Sequence, residues 1–393
     1  MVVKYCIIGA SAAGINAASE IRKNDSSGEI IVFSEENRLP YYRPYLSHYV
    51  GDESVMEKSN FHIKPESWYK ENKIELRKDE KVEKIHTGEK ILFTGKDSYS
   101  CDKIIFATGS KPFVPVPGIL EKTNVFSMRT MDDSVEIRKK AKKSSRVAVI
   151  GGGLLGLELA DSLLSLNCHT TIIEMADRIL PRQLDASCSS MFSEAVESKG
   201  AKIMFGTKAT DFNGNEKIDS LTFSSGETLN FDMIVFSIGV RPEVTLAEES
   251  GLEVARAIVV NEKMETSVPD IYACGDCAQF GREPLLWLPA VKQGRTAGAN
   301  AAGMESIYKT SEYPAILSSF GTKIFSAGDI CDPSDEDVSV KKKSEKEKMA
   351  VLFFKNKKLS GGVLMNNMAL SQKLLKGIKE GFSIEKASAE LLY

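Results

Sequence analysis

A short apolar run, a glycine turn and a small-residue helix occur in the same order twice in this chain, about 140 residues apart. In the first copy residues 2–8 are almost wholly apolar, which suits a strand buried on both faces. Gly9, Ser11 and Gly14 follow in the run Gly-Ala-Ser-Ala-Ala-Gly, and residues 12–21 continue as an alanine-rich helix. In the second copy the strand is residues 146–150, the glycines are Gly151, Gly153 and Gly156 with Leu154 and Leu155 between the last two, and a helix follows with Glu158 in its first turn. The first glycine of such a turn permits the tight reversal, and the last lets the helix lie close to the sheet. Backbone N–H groups at the helix start then face outward, where a pyrophosphate can accept from them. Ser11 holds the middle place, where the backbone must approach the ligand and a serine is small enough; Ala12 and Ala13 complete the turn. One such motif is weak evidence. Two, each opening its own half, predict an α/β chain with two Rossmann-like domains and two dinucleotide ligands.

Each half repeats further parts. Glu35 ends the second strand, where an acid accepts hydrogen bonds from a ribose, and Glu36 is the alternative. Glu174 ends the corresponding strand of the second half; its charge repels a 2′-phosphate, so NADH is expected over NADPH. Ala107-Thr108-Gly109 and, in the second half, Gly239 close later strands with tight turns. Residues 39–48 carry two prolines, adjacent tyrosines and Arg43, too irregular for a strand. They predict a rigid wall against a flat ligand, with Pro44 offering a surface that has no amide donor. Residues 112–117 hold three prolines and form a stiff crossover. A buried strand at 271–273, Gly275-Asp276 and a helix over 291–302 return to the first domain, which the second interrupts. Strands at 324–327, 349–355 and 358–364, then helices at 367–379 and 384–392, make a small α+β domain. The expected domains are therefore 1–112 with 243–312, 113–242, and 313–393.

The remaining composition excludes several classes. No apolar run approaches the roughly 20 residues needed to cross a bilayer, and residues 2–8 lead straight into Gly9 without a signal core, so a cytoplasmic protein with no membrane role is expected. Net charge is −3, which does not favour nucleic acid. Seven cysteines are spread along the chain without a secreted disulfide pattern; they read as core or ordinary surface residues. The histidines at 48, 62, 86 and 169 show no metal-ligand spacing, so no metal is expected. Residues 341–379 carry eleven lysines and two glutamates, after an acidic stretch at 329–338. The final domain has no long dimerisation helix, so a monomer is expected.

These motifs, taken in order, resemble the FAD-dependent pyridine nucleotide oxidoreductases, the superfamily of glutathione reductase, NADH oxidase and ferredoxin reductase. The resemblance covers residues 1 to about 302. It implies FAD on the first domain and NADH on the second, with hydride passing from nicotinamide to flavin and no amino-acid nucleophile. It places Gly9, Ser11–Gly14, Glu35, Ala107–Gly109, Gly275 and Asp276 at FAD, with Arg43 and Pro44 near the flavin ring. Gly151, Gly153–Gly156, Glu174 and Gly239 would hold NADH, and Glu158 would orient the nicotinamide; helix-terminal charge compensation is its bland alternative. Residues 39–47 look like the rubredoxin reductase and nitrite reductase flavoprotein branch, and residues 319–330 and 357–367 look most like NADH:rubredoxin oxidoreductases. Thiol-dependent NADH oxidases place a cysteine where this chain has His48. His48 itself could approach the flavin or merely cap a turn. Cys274 and Cys277 form a C-x-x-C that could be a redox pair, but they overlap the Gly-Asp flavin signature and read as small turn residues. The lysine-rich region either is simply solvated or steers an acidic carrier such as rubredoxin. The implied function is an NADH oxidoreductase reducing that carrier. NADH oxidase activity, a nitrite reductase flavoprotein component and a redox-sensing interaction protein are the alternatives.

Overall fold

Parallel pairing of β1 (Lys4–Ile8) with β2 (Glu29–Phe33) on one side and with strand Lys103–Phe106 on the other builds the first sheet. Its strand order is Ile271–Ala273, Lys103–Phe106, β1, β2, Ile74–Arg77. The structure, a computed structural model, describes residues 2–281, 283–330 and 337–392. The chain divides into two units: the first comprises residues 1–45, 55–111 and 240–311, and the second residues 46–54, 112–239 and 312–393.

In the first unit, α1 (Ala12–Asn24) buries Ile15, Ala17, Ala18 and Ile21 against the sheet core. The long helix Trp287–Ala301 lies on α1 through glycines: a Cβ on Gly294 would stand 2.2 Å from the Ala13 carbonyl oxygen, and one on Gly298 would stand 2.4 Å from that of Ala17. This helix starts a turn earlier than residues 291–302 suggest. Pro289 falls in its first turn, where a missing N–H costs no helical bond.

Cys6 and Cys101, read as ordinary cysteines, are joined in a disulfide. Parallel pairing sets Cys6 opposite Ile104, which brings the nearby Cys101 within reach across a separation of 95 residues. Cys168, Cys188, Cys274 and Cys277 are free and buried.

Asp25 closes the turn between α1 and β2. Burial opposes its ionisation, but hydrogen bonds from the Ser27 and Gly28 amides, the Ser27 hydroxyl and the Tyr5 phenol prevail and lower its pKa from 3.8 to about 2. The folded value lies below the unfolded one, so this stabilisation is complete above pH 3.8 and is lost as pH falls towards 2. Urea midpoints of Asp25→Asn should fall below wild type at pH 7, and the gap should close by about pH 2. An equal gap at both pH values would contradict this.

The second unit opens with α2 (Leu46–Gly51), a short helix that begins within the 39–48 stretch expected as a rigid wall and runs three residues past it. Then come α3 (Met131–Ala141), β3 (Arg146–Ile150), α4 (Leu154–Ser165) and β4 (His169–Ile173). Its parallel sheet runs Lys202–Met204, β4, β3, Met233–Phe236, Val125–Ser127. Residues 315–365 add an antiparallel sheet in the order Ala315–Ser319, Thr322–Gly328, Lys358–Met365, Lys348–Lys355, Val338–Glu345. Its five strands among the described residues exceed the three expected. Helices Ser371–Glu380 and Ile384–Leu391 cover one face around Leu352, Phe354, Leu364, Leu374 and Leu391. Within this unit Asp161 on α4 accepts from the Ser319 hydroxyl at 3.1 Å and the Phe320 amide at 2.9 Å. The acidic stretch at 329–338 lies largely outside the described residues. No helix among the described residues is long and apolar enough to cross a membrane.

Candidate dinucleotide sites

The two glycine turns repeat one another bond for bond. Gly9 N donates to Phe33 O at 3.0 Å, and Gly151 N donates to Ile173 O at 2.9 Å. Ala107 N donates to Ile8 O, and Ser237 N to Ile150 O, both at 2.8 Å. Gly9 and Gly151 have φ of 110° and 114°, a region that side chains avoid. A Cβ on Gly14 would lie 1.9 Å from Gly9 O, and one on Gly156 would lie 2.1 Å from Gly151 O. Each helix is therefore pressed onto its own turn, with its first N–H groups at the strand ends.

Neither helix has a side-chain cap: Ser11 and Gly153 are the N-cap residues of α1 and α4, the Ser11 hydroxyl accepts from no first-turn amide, and Gly153 has no side chain to offer. By contrast Thr130 and Asp185 cap α3 and the helix Ala186–Ser198. Nothing lies within 4 Å of a Cβ built on Gly153, so the turn is open on its outer side. Uncapped amides, a positive helix end and open space together fit a pyrophosphate.

Around the first turn, the carboxyl group directed inward is Glu36. It accepts from Tyr41 Oη at 2.6 Å and from Arg43 Nη2 at 2.7 Å, and Arg43 Nε reaches Ser11 Oγ at 3.1 Å. Glu35 instead pairs with Lys81 at 3.2 Å, its side chain 68% exposed. Ala12 and Ala13 are buried, and Ala13 lies under Gly275 and Gly294. Asp276 accepts from Ser110 Oγ at 2.6 Å, and Gln293 Oε1 fixes the Gly275 amide at 2.8 Å. Thr108 Oγ1 donates to the Glu243 carbonyl, and Gly109 O accepts from the Glu243 amide. Pro44 is exposed in the 3-10 turn Arg43–Tyr45. Burial raises the Cys274 and Cys277 thiols, and each cysteine is fully enclosed.

Around the second turn, Glu174 accepts from the Gly152 amide at 2.7 Å and the Ala176 amide at 2.8 Å. It braces the turn, and its carboxylate has further acceptor positions to spare. Met175 beside it is 73% exposed, and Leu155 is 37% exposed. Leu154 begins α4, and Gly239 O accepts from the Phe113 amide. Glu158 is the fifth residue of α4, beyond the first turn where it was expected. Its Oε2 accepts from Ser47 Oγ at 2.7 Å. His48 follows Ser47 within α2. Sequence reasoning missed Ser47, Tyr41 and Ser110. Ser47 and Ser110 are small polar residues whose partners lie 111 and 166 residues away, whereas Tyr41 reaches Glu36 within its own loop.

A family model described as pyridine nucleotide-disulphide oxidoreductase matches residues 3–294, and one described as rubredoxin NAD+ reductase C-terminal domain matches residues 314–382. The chain is 31% identical over 389 residues to a nitrite reductase [NAD(P)H] of Bacillus subtilis, covering 97% of this chain and 48% of that protein. It thus spans about half the length of that relative. It is 30% identical over 390 residues to an NADH-rubredoxin oxidoreductase of Clostridium acetobutylicum, covering 98% of this chain and 97% of the relative. The crystal structure of NADH:rubredoxin oxidoreductase from Clostridium acetobutylicum superposes with a TM-score of 0.79 at 28% identity, covering 98% and 97% of the two chains.

Proposed function

Because the chain belongs to the pyridine nucleotide-disulphide oxidoreductase family, we propose that it oxidises NADH and delivers the electrons, by way of FAD, to a small acidic carrier such as rubredoxin. The observation that carries this reading is the doubled, uncapped glycine turn, one for each dinucleotide. Residues 1–112 and 243–312 serve FAD, 113–242 serve NADH, and 313–393 form the C-terminal domain.

Bound flavin supplies hydride acceptance from nicotinamide and release of electrons one at a time. The protein's part is alignment. Amides of Ser11 to Gly14 hold the FAD pyrophosphate, and Asp276, fixed by Ser110, takes the ribityl end. Glu36, oriented by Tyr41 and Arg43, is better placed for the ribose than Glu35. Amides of Gly153 to Gly156 hold the NADH pyrophosphate, and Glu174 takes its adenosine ribose. Glu158 orients the nicotinamide, and His48 stands where thiol-dependent NADH oxidases place a cysteine, which argues against their cysteine-based chemistry.

Similarity of residues 314–382 to a rubredoxin reductase C-terminal domain favours rubredoxin as acceptor, and the edge strand Val338–Glu345 presents exposed Lys341 and Lys342. Such charge raises the encounter rate with an acidic partner and is screened by salt. Our reading places the enzyme in the cytoplasm as a monomer. Anaerobic stopped-flow mixing should show flavin bleaching by NADH, followed by re-oxidation on adding rubredoxin. That second rate should fall roughly tenfold or more between 10 mM and 300 mM salt. Re-oxidation by oxygen but not by rubredoxin at low salt would make the protein an oxidase.

A further inference from the structure

Glu158 is a half-buried acid with no ionic partner among the described residues. Among the described residues its one hydrogen bond comes from Ser47, which is itself fully buried. Ser47 is held there firmly. Arg138 on α3 donates to the Val50 and Gly51 carbonyls of α2 at 2.5 and 3.0 Å, and Gly51 lies against Ser162 and Ser165 of α4.

Several charged groups of the neighbouring elements are engaged elsewhere. Asp161 on α4 is held by Ser319 and Phe320, Arg138 by α2 and Glu53, and Arg146 of β3 by Asp232. α2 also carries His48 and Tyr49, β4 carries His169, and strand Ala315–Ser319 has no titratable side chain. Burial raises the Glu158 pKa to about 7, opposed only by the Ser47 hydrogen bond.

We propose that Glu158 lets this site distinguish oxidised from reduced nicotinamide by charge, with Ser47 as the positioning residue that holds its carboxyl. The inference rests on the reading that this unit binds NADH. Glu158 stands about 6 Å along the helix axis from Leu154, and Glu174, assigned above to the adenosine ribose, is bonded to the turn at Gly152. The oxidised ring carries a positive charge that the reduced ring lacks. An ionised carboxyl in a poorly solvated site attracts that charge, and a neutral one does not. Binding NAD+ therefore drives a proton from Glu158 into solvent, whereas binding NADH leaves it in place. Near neutral pH the site holds product more tightly as pH rises.

The test is calorimetric titration of the oxidised, flavin-loaded enzyme with NAD+ from pH 6 to pH 8, repeated in buffers of different ionisation enthalpy to count protons. Affinity should rise about tenfold across this range in the wild type, with proton release. Glu158→Gln, isosteric and neutral, should give a flat profile and no release. Ser47→Ala should move the rise to higher pH, because the lost donor favoured the ionised form. A flat wild-type profile, or an unchanged slope in Glu158→Gln (which would point to His48), overturns the proposal. Anaerobic NADH added to the same preparation separates the two levels. Flavin that bleaches beside a flat NAD+ profile defeats only this inference, whereas flavin that stays oxidised defeats the reading beneath it.

Discussion

Gly9→Ala should yield a colourless protein. The new methyl would stand 2.2 Å from the Ala107 carbonyl oxygen and 3.3 Å from the Thr108 amide nitrogen, both backbone atoms of a buried strand end. It would also sit on a residue whose φ is 110°. Overpacking of this kind costs roughly 1–3 kcal/mol, and the strained backbone costs a similar amount. Together they consume much of the 5–15 kcal/mol that typically separates folded from unfolded chains. The cheapest relief is to open the turn, which withdraws the amides of α1 from the pyrophosphate. The ratio of absorbance near 450 nm to that at 280 nm after purification reports flavin content. A ratio equal to wild type would refute the packing argument.

Gly156→Ala should behave in the opposite way, staying yellow but losing its response to NADH. The added methyl would lie 2.1 Å from Gly151 O and 3.4 Å from Ser237 Cβ, so α4 must lift from its own turn. Nothing in the first glycine turn is touched. Reduction by NADH should slow about 100-fold, equivalent to ~2.7 kcal/mol, while dithionite still bleaches the flavin at the wild-type rate. If NADH reduction were unimpaired, the second turn would not be where NADH binds.

The two turns were legible because they depend on absent side chains, and glycine spacing records that requirement directly. The carboxyl beside the first turn was harder. Glu35 and Glu36 adjoin, and which one turns inward is decided by Tyr41 and Arg43, residues that follow in a loop. α2 was hidden for a related reason. Its six residues have little helical signal of their own and are fixed by Arg138 and by packing on α4. The strand Val338–Glu345 was obscured by its lysines, which suit solvent. Its order comes from pairing along its whole length with the buried strand Lys348–Lys355. The Cys6–Cys101 disulfide joins two places that only the completed sheet makes neighbours.

The first sheet also constrains the order in which the protein can be made. Its last member, Ile271–Ala273, pairs with Lys103–Phe106, and α1 receives its covering helix only from residues 287–301. Strands Val125–Ser127 through Met233–Phe236, which complete the other parallel sheet, leave the ribosome sooner. During synthesis the portion begun first must therefore wait, half built and with its apolar helix face uncovered, until the portion inserted into it has already emerged.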